Sequence, residues 1–278
     1  MKALVTGSAG FIGAHVARVL SGTGYAVHGM DLADGNDCRK QLPQLDVRYD
    51  VAVHCAAAVV SPAAKAGPQA VLAANLEIDA AFFGWAAQTR PGRVIYFSSS
   101  CAYPLGLPPA PFRESQIDLC NPLWPDGLYG WAKLTGEQLA SALAEDSIPT
   151  TVIRPFSVYG PGMAEGFAVR SFIKQAQAGP CIEIWGTGTQ QRDYVHVTDV
   201  AATVAAAITK GIDGPVNVGT GHATTLTELV RMIRPDADIV LLPGKPEGPC
   251  YLVADPLRLR TFCPPKITLK EGLRGVPG

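Results

Sequence analysis

The sequence predicts an α/β fold, a doubly wound parallel sheet with a small discontinuous second lobe. Three observations carry that expectation. The β-rich run Lys2–Thr6 breaks at once into Gly7-Ser8-Ala9-Gly10-Phe11-Ile12-Gly13, and a helical pattern follows at Ile12, Val16, Val19 and Leu20. Further short apolar runs, at Ala26–Met30, 51–58, 93–97 and from Thr151, return with helical stretches between most of them, the alternation that builds a parallel sheet. A length of 278 residues suits one large α/β domain with an appended lobe.

Composition narrows the function classes. Hydrophobic residues make up 47% and charged residues 17%, which excludes disorder as the main state. The net charge of −1 gives no global field favouring nucleic acid or an anionic membrane, so neither is an expected partner. The chain enters its first strand without a charged-then-apolar leader, and no uninterrupted apolar run has membrane-spanning length. Seven cysteines are dispersed without a Cys-x-x-Cys, which points to reduced thiols in the cytoplasm. No His, Cys and carboxylate cluster has metal-site spacing, so no metal is expected.

The glycine turn is the first candidate site. In a strand–turn–helix context Gly7 allows the tight turn, Gly10 lets backbone approach a pyrophosphate, and Gly13 lets the helix pack on the strand. The helix N-terminus, with Phe11 and Ile12, then offers unpaired N–H groups to phosphate. The next strand ends at Asp31, where a carboxylate can accept from both adenosine ribose hydroxyls. Asp34 follows and no Arg or Lys appears before Arg39, so a 2′-phosphate would be repelled and the expected cofactor is NAD rather than NADP. Residues 32–50 are too few for a full helix, strand and helix, so one unit is expected to be trimmed. The apolar run 51–58 ends in small residues, Ala56 among them, that let backbone lie against a cofactor; His54 within it reads as packed. An Ala-rich helix at 68–88 contains a lone Asn75.

The centre of the chain carries the chemistry. Ser98-Ser99-Ser100-Cys101-Ala102-Tyr103 follows a strand, where a doubly wound sheet places its ligands. Tyr129 and Lys133 stand four apart on an amphipathic helix, on one face and one turn apart. Neither ionises usefully alone near neutral pH. Side by side, with a second positive charge such as an oxidised nicotinamide, the phenolate is favoured.

Together the glycine turn, Asp31, the serine run and Tyr-x-x-x-Lys resemble the extended short-chain dehydrogenase/reductase superfamily, and within it the NAD-dependent nucleotide-sugar epimerases and dehydratases. The strings at 151–162, 186–197 and 217–221 resemble further signatures of that branch in the same order. The resemblance implies a Rossmann-type domain at 1–160 and 190–220 and a nucleotide-sugar lobe at 161–189 and 221–278. It implies Tyr129 as acid/base on a sugar C4 hydroxyl, Lys133 on the nicotinamide ribose, and Ser99 orienting the substrate, with Ser100 a possible substitute. It places Gly7, Gly10, Phe11, Ile12, Gly13, Asp31, Ala56, Asn75, Tyr129, Lys133 and Pro155 at the cofactor, and Ser99, Ser100, Tyr129, Ser157 and Arg192 at a nucleotide-diphosphate sugar. It also implies a homodimer through helices at 68–88 and 128–145.

Departures refine the reading. The residues after Ser99 are Ser100 and Cys101, not the Asp-Glu of dehydratases, and no Glu stands in the loop as in decarboxylases. Cys101 resembles an acid/base cysteine of epimerase-reductases, but the partner His is missing after the Tyr159 turn; a packed thiol is the other reading. Ser157 stands where an Asn is usual, and Lys245 or Arg258 is left to complete the diphosphate clamp. Asp199 is expected near a helix cap. The leading expectation is a 4-epimerase, an isomerase working through a 4-keto sugar. The alternatives are a 4-keto-sugar reductase or epimerase-reductase, and a non-catalytic dinucleotide-binding regulator.

Overall fold

The computed structural model describes residues 1–59 and 67–277. In chain order its elements begin with β1 (Lys2–Thr6), α1 (Phe11–Gly22), β2 (Ala26–Met30), the single turn α2 (Cys38–Gln41), β3 (Val51–His54), α3 (Pro68–Thr89), β4 (Val94–Phe97), α4 (Gly127–Glu145) and β5 (Thr150–Pro155). There follow β6 (Ser157–Tyr159), α5 (Ala168–Ala178), β7 (Cys181–Trp185), β8 (Gln191–Arg192), β9 (Tyr194–His196), α6 (Val197–Lys210) and β10 (Gly214–Val218). The last elements are β11 (Thr224–Thr225), α7 (Leu226–Ile233), β12 (Asp238–Leu242), β13 (Tyr251–Leu252), α8 (Leu257–Arg260) and α9 (Leu269–Leu273).

Six strands form one parallel sheet in the order β10-β5-β4-β3-β1-β2. The side-chain alternation of a strand sends Ala3 and Val5 to one face and Leu4 to the other. The first face packs with Val16 and Leu20 of α1 and Val200 and Val204 of α6. The second packs with Phe82, Phe83, Trp85 and Ala86 of α3 and Ala140 and Leu143 of α4. This is the doubly wound Rossmann arrangement. The order reverses beside β1, with β2 on one side and β3 on the other, so a crevice opens above the carboxyl ends of β1 and β3.

The trimmed unit is present as expected. Between β2 and β3 lie only α2 and two 3₁₀ turns, Leu32–Asp34 and Leu42–Gln44, so β2 is the sheet edge. The strand predicted over 51–58 stops at His54. Helix α6 starts three residues before the predicted 200, with His196 at its N-cap accepting from the Thr198 N–H. Asp199 therefore does not cap it; its carboxylate accepts from the Ile267 N–H at 3.0 Å and pins the C-terminal segment. Beyond β5 a smaller cluster gathers Phe172, Ile173, Ile182, Ile184, Leu229 and Val230, where β7 pairs with β12. Helix α3 is long and apolar enough to cross a membrane, yet it buries Asn75 and Asp79 against the sheet.

Candidate active site

The glycine turn is built for close approach. Gly7 has φ +70°, and a Cβ there would stand 2.6 Å from the Ala56 nitrogen. A Cβ on Gly13 would stand 2.0 Å from the Gly7 carbonyl oxygen, so only glycine lets α1 seat on the turn. Gly10 is the N-cap of α1 and supplies no capping side chain; no acidic residue follows in the first turn. The Asp31 carboxylate, at the end of β2, accepts from the Ala9 N–H and the Ala33 N–H, each at 2.9 Å. It thus ties the turn to the strand and retains lone pairs toward the crevice. A cradle that a Cβ would fill, a helix end without a side-chain cap, and a fixed carboxylate beside it fit a dinucleotide.

The neighbouring residues frame this crevice. Phe11 and Ile12 begin α1 half-buried, Phe11 reaching the smaller cluster and Ile12 the sheet core. The Ala56 N–H points back to Thr6 Oγ1 at 3.3 Å. Asn75, fully buried, accepts from the Ala58 N–H and donates to the Ala58 and Val71 carbonyls. Its amide is occupied by backbone, so it positions the loop after β3. Pro155 is buried at the end of β5.

Tyr129 and Lys133 share one face of α4 as the spacing predicts. Lys133 is 2% exposed; its Nζ donates to the Phe97 carbonyl at 3.0 Å and lies 5.8 Å from the Tyr129 ring centre. The serines divide. Ser98 is buried and donates to Glu137, Ser100 is buried in the following turn, and Ser99 alone is half-buried, its Oγ accepting from the Cys101 N–H at 3.1 Å. The expected lowering of the Tyr129 pKa by Lys133 is not met by the protein's own groups. Burial raises the phenol, and the Asp79 carboxylate adds to it. Burial likewise lowers Lys133, against the opposing pull of the Asp79 and Glu137 carboxylates.

Arg192 is half-buried on β8, its Nη1 donates to the Gln191 carbonyl at 2.9 Å, and burial lowers its pKa. Cys101 is raised chiefly by burial, with Arg192 opposing. Asp126 precedes α4 without a side-chain capping bond, and burial raises its carboxyl. Tyr194 Oη is buried without a hydrogen-bond partner. Ser157 is half-buried, its N–H bound to the Asp193 carbonyl at 2.9 Å. Arg258 is not in this group: its guanidinium donates to the Asp213 carbonyl at the amino end of β10, opposite the site, because α8 packs there. Lys245 lies over the exposed Trp185 ring at 5.8 Å.

Sequence reading missed the polar layer beneath the site. Arg154, 2% exposed, grips Glu137 through Nε at 2.9 Å and Nη2 at 2.6 Å, and reaches the Tyr103 hydroxyl at 3.2 Å. Tyr103 in turn donates to Asn217 at 2.6 Å. The available signal was a charge inside an apolar strand, and a carboxylate one turn past Lys133. His54 is packed as expected, stacked on Phe82 with centres 4.0 Å apart. Burial lowers its pKa below the ordinary 6.5. The unfolded chain therefore takes up the proton first, and stability present above about pH 6.5 is lost as pH falls below it. The unfolding free energy from urea titration should fall between pH 7.5 and 5.5 by up to about 1.4 kcal/mol per pH unit, and His54→Asn should flatten that slope.

A family model for the NAD dependent epimerase/dehydratase family matches residues 3–219. The dTDP-4-dehydro-6-deoxy-D-allose reductase of Streptomyces bikiniensis is 30% identical over 281 residues, covering 88% of this chain and 85% of the relative. A probable GDP-L-fucose synthase 1 of Oryza sativa subsp. japonica is 28% identical, covering 98% and 89%. The crystal structure of UDP-glucuronic acid 4-epimerase from Bacillus cereus, with UDP-glucuronic acid and NAD, superposes with a TM-score of 0.83 at 27% identity, covering 99% and 97%. The chain belongs to the NAD dependent epimerase/dehydratase family. It is an enzyme of the nucleotide-sugar epimerase, dehydratase and reductase group.

Proposed function

We propose that the chain is a nucleotide-sugar 4-epimerase, working by reversible oxidation at the sugar C4. The reading is supported by Tyr129 and Lys133 on α4, which packs on the turn that follows the half-buried Ser99, with no carboxylate from 99 to 103 to drive elimination. NAD, when bound, supplies a hydride acceptor and donor at C4. Gly7, Gly10, Phe11, Ile12 and Gly13 would hold its pyrophosphate, and Asp31 the adenosine ribose. Ala56, Asn75 and Pro155 would shape the nicotinamide end, with Tyr129 and Lys133 at its ribose. Tyr129 removes the proton of the C4 hydroxyl, leaving a ketone on the sugar, and returns it once the ketone has presented its other face. Ser99, with Ser100 behind it, orients the C4 oxygen. Arg192 pairs with the diphosphate, and Ser157 lines the sugar side. The exposed side of α3 and α4 would pair two copies into a homodimer.

A second reading, a 4-keto-sugar reductase, is supported by the 30% identical reductase and by Cys101, whose carbonyl packs on Gly130, the residue after Tyr129. Two incubations separate the readings: UDP-, dTDP- and GDP-hexoses with NAD-loaded protein and no reductant, and the corresponding 4-keto sugars with NADH or NADPH. C4 inversion of one sugar is expected; stoichiometric consumption of a reduced cofactor by a 4-keto sugar instead would establish the reductase.

A further inference from the structure

Behind Lys133, at the ends of β1 and β3, lies a buried polar cluster that the reaction does not use. Asp79 of α3 is 1% exposed. Its Oδ1 is 3.1 Å from His54 Nε2 and its Oδ2 accepts from the Tyr96 hydroxyl at 3.0 Å. His54 Nδ1 is 2.6 Å from the Thr6 hydroxyl. One consistent set of donors runs through the cluster: Thr6 O–H to His54, His54 Nε2–H to Asp79, Tyr96 O–H to Asp79. Both carboxylate oxygens then accept, which is the pattern of an ionised group. Burial keeps the ring of His54 neutral and the hydroxyl of Tyr96 protonated, so neither cancels that charge.

Water is shut out from above. A Cβ on Gly136 of α4 would lie 1.9 Å from the Tyr96 hydroxyl oxygen and 2.6 Å from Asp79 Oδ2, so the helix backbone closes directly on the pair. Among the described residues, the one ion-pair contact of Asp79 is His54. Among the described residues, the buried cation on the same Tyr96 ring is Lys133, whose Nζ stands 5.2 Å from its centre.

The other groups facing Lys133 do not supply a free counter-charge. From β3, Cys55 is pushed up by burial and stays a thiol, and His54 is neutral. From α4, Glu137 is already held bidentately by Arg154, and Tyr129 is a buried phenol. From β4, Phe97 gives a carbonyl and Tyr96 a ring face. Burial favours loss of the Lys133 proton, and the Asp79 carboxylate opposes that loss.

We propose that Asp79 is the buried counter-charge of Lys133, acting across Tyr96 as a positioning residue that keeps the ammonium charged beside Tyr129. Its importance for turnover rests on the catalytic reading of Tyr129 and Lys133; the charge coupling itself does not, and the test is made without cofactor or sugar.

Lysine side chains labelled with ¹³C at Cε are titrated by NMR in the whole protein, the Lys133 resonance being assigned through Lys133→Met. Asp79→Asn should lower the proton affinity of Lys133 about tenfold or more, moving its midpoint down by about one pH unit. Glu77→Gln, an exposed carboxylate change on the same helix, should leave it in place. An unmoved Lys133 midpoint in folded Asp79→Asn overturns the proposal, whatever the enzyme's reaction proves to be. If Asp79→Asn does not fold, the double variant with Lys133→Met decides. Restored folding supports the pairing of charges, because the single change strands a buried ammonium; a double variant that is no better than the single overturns it.

Discussion

Tyr129→Phe should reduce turnover by about 10²–10⁴-fold, the scale of a lost general acid/base, while leaving NAD affinity little changed. The substitution removes one oxygen. Lys133 keeps its bond to the Phe97 carbonyl, and the glycine cradle and Asp31 lie on other elements. The measurement pairs steady-state turnover with NAD titration of the same preparation. A parallel loss of NAD binding would show that the phenol holds the fold or the cofactor; unchanged turnover would remove Tyr129 from the chemistry. The rise of the phenol's pKa through burial sharpens the expectation. The protein alone disfavours phenolate, so a positive charge brought to the ring is needed to make Tyr129 a base near neutral pH.

Arg154→Leu should destabilise the fold by about 3–5 kcal/mol, because it leaves Glu137 charged and buried without its partner. The effect has a route to the site. Glu137 also accepts from Ser98, the residue before Ser99, so losing the guanidinium loosens the end of β4. The check is urea unfolding of Arg154→Leu, Glu137→Leu and the double variant. The double variant should recover much of the loss, since burying two apolar groups avoids the desolvation of both charges. A loss under about 1 kcal/mol for Arg154→Leu would mean the pair is hydrated in solution.

The parts legible in the sequence were those whose chemistry is local. Gly7, Gly10 and Gly13 announce their turn because backbone geometry there tolerates no Cβ, and the Tyr129–Lys133 spacing fixes a shared helical face. The short segment 32–50 foretold a trimmed unit through chain length alone, and in the fold β2 is the sheet edge. What the sequence hid was long-range. Asp79, His54, Tyr96 and Lys133 lie on four elements and meet only because α3 and α4 close on the same face of the sheet. Arg258 was misplaced for the same reason: its nearness in sequence to β13 says nothing about which end of β10 it reaches. Asp199 looked like a cap because it lies near the start of α6, but its bond runs to Ile267.

Reversible oxidation at C4 is tested most directly with substrate deuterated at that carbon. NAD-loaded protein is given C4-deuterated UDP-, dTDP- and GDP-hexoses, and the recovered sugars are examined by NMR and mass spectrometry. Inverted C4 with the deuterium retained, and no net change in cofactor, is the predicted result. Inversion with the deuterium lost to solvent, or no reaction at C4 of any sugar, would contradict it.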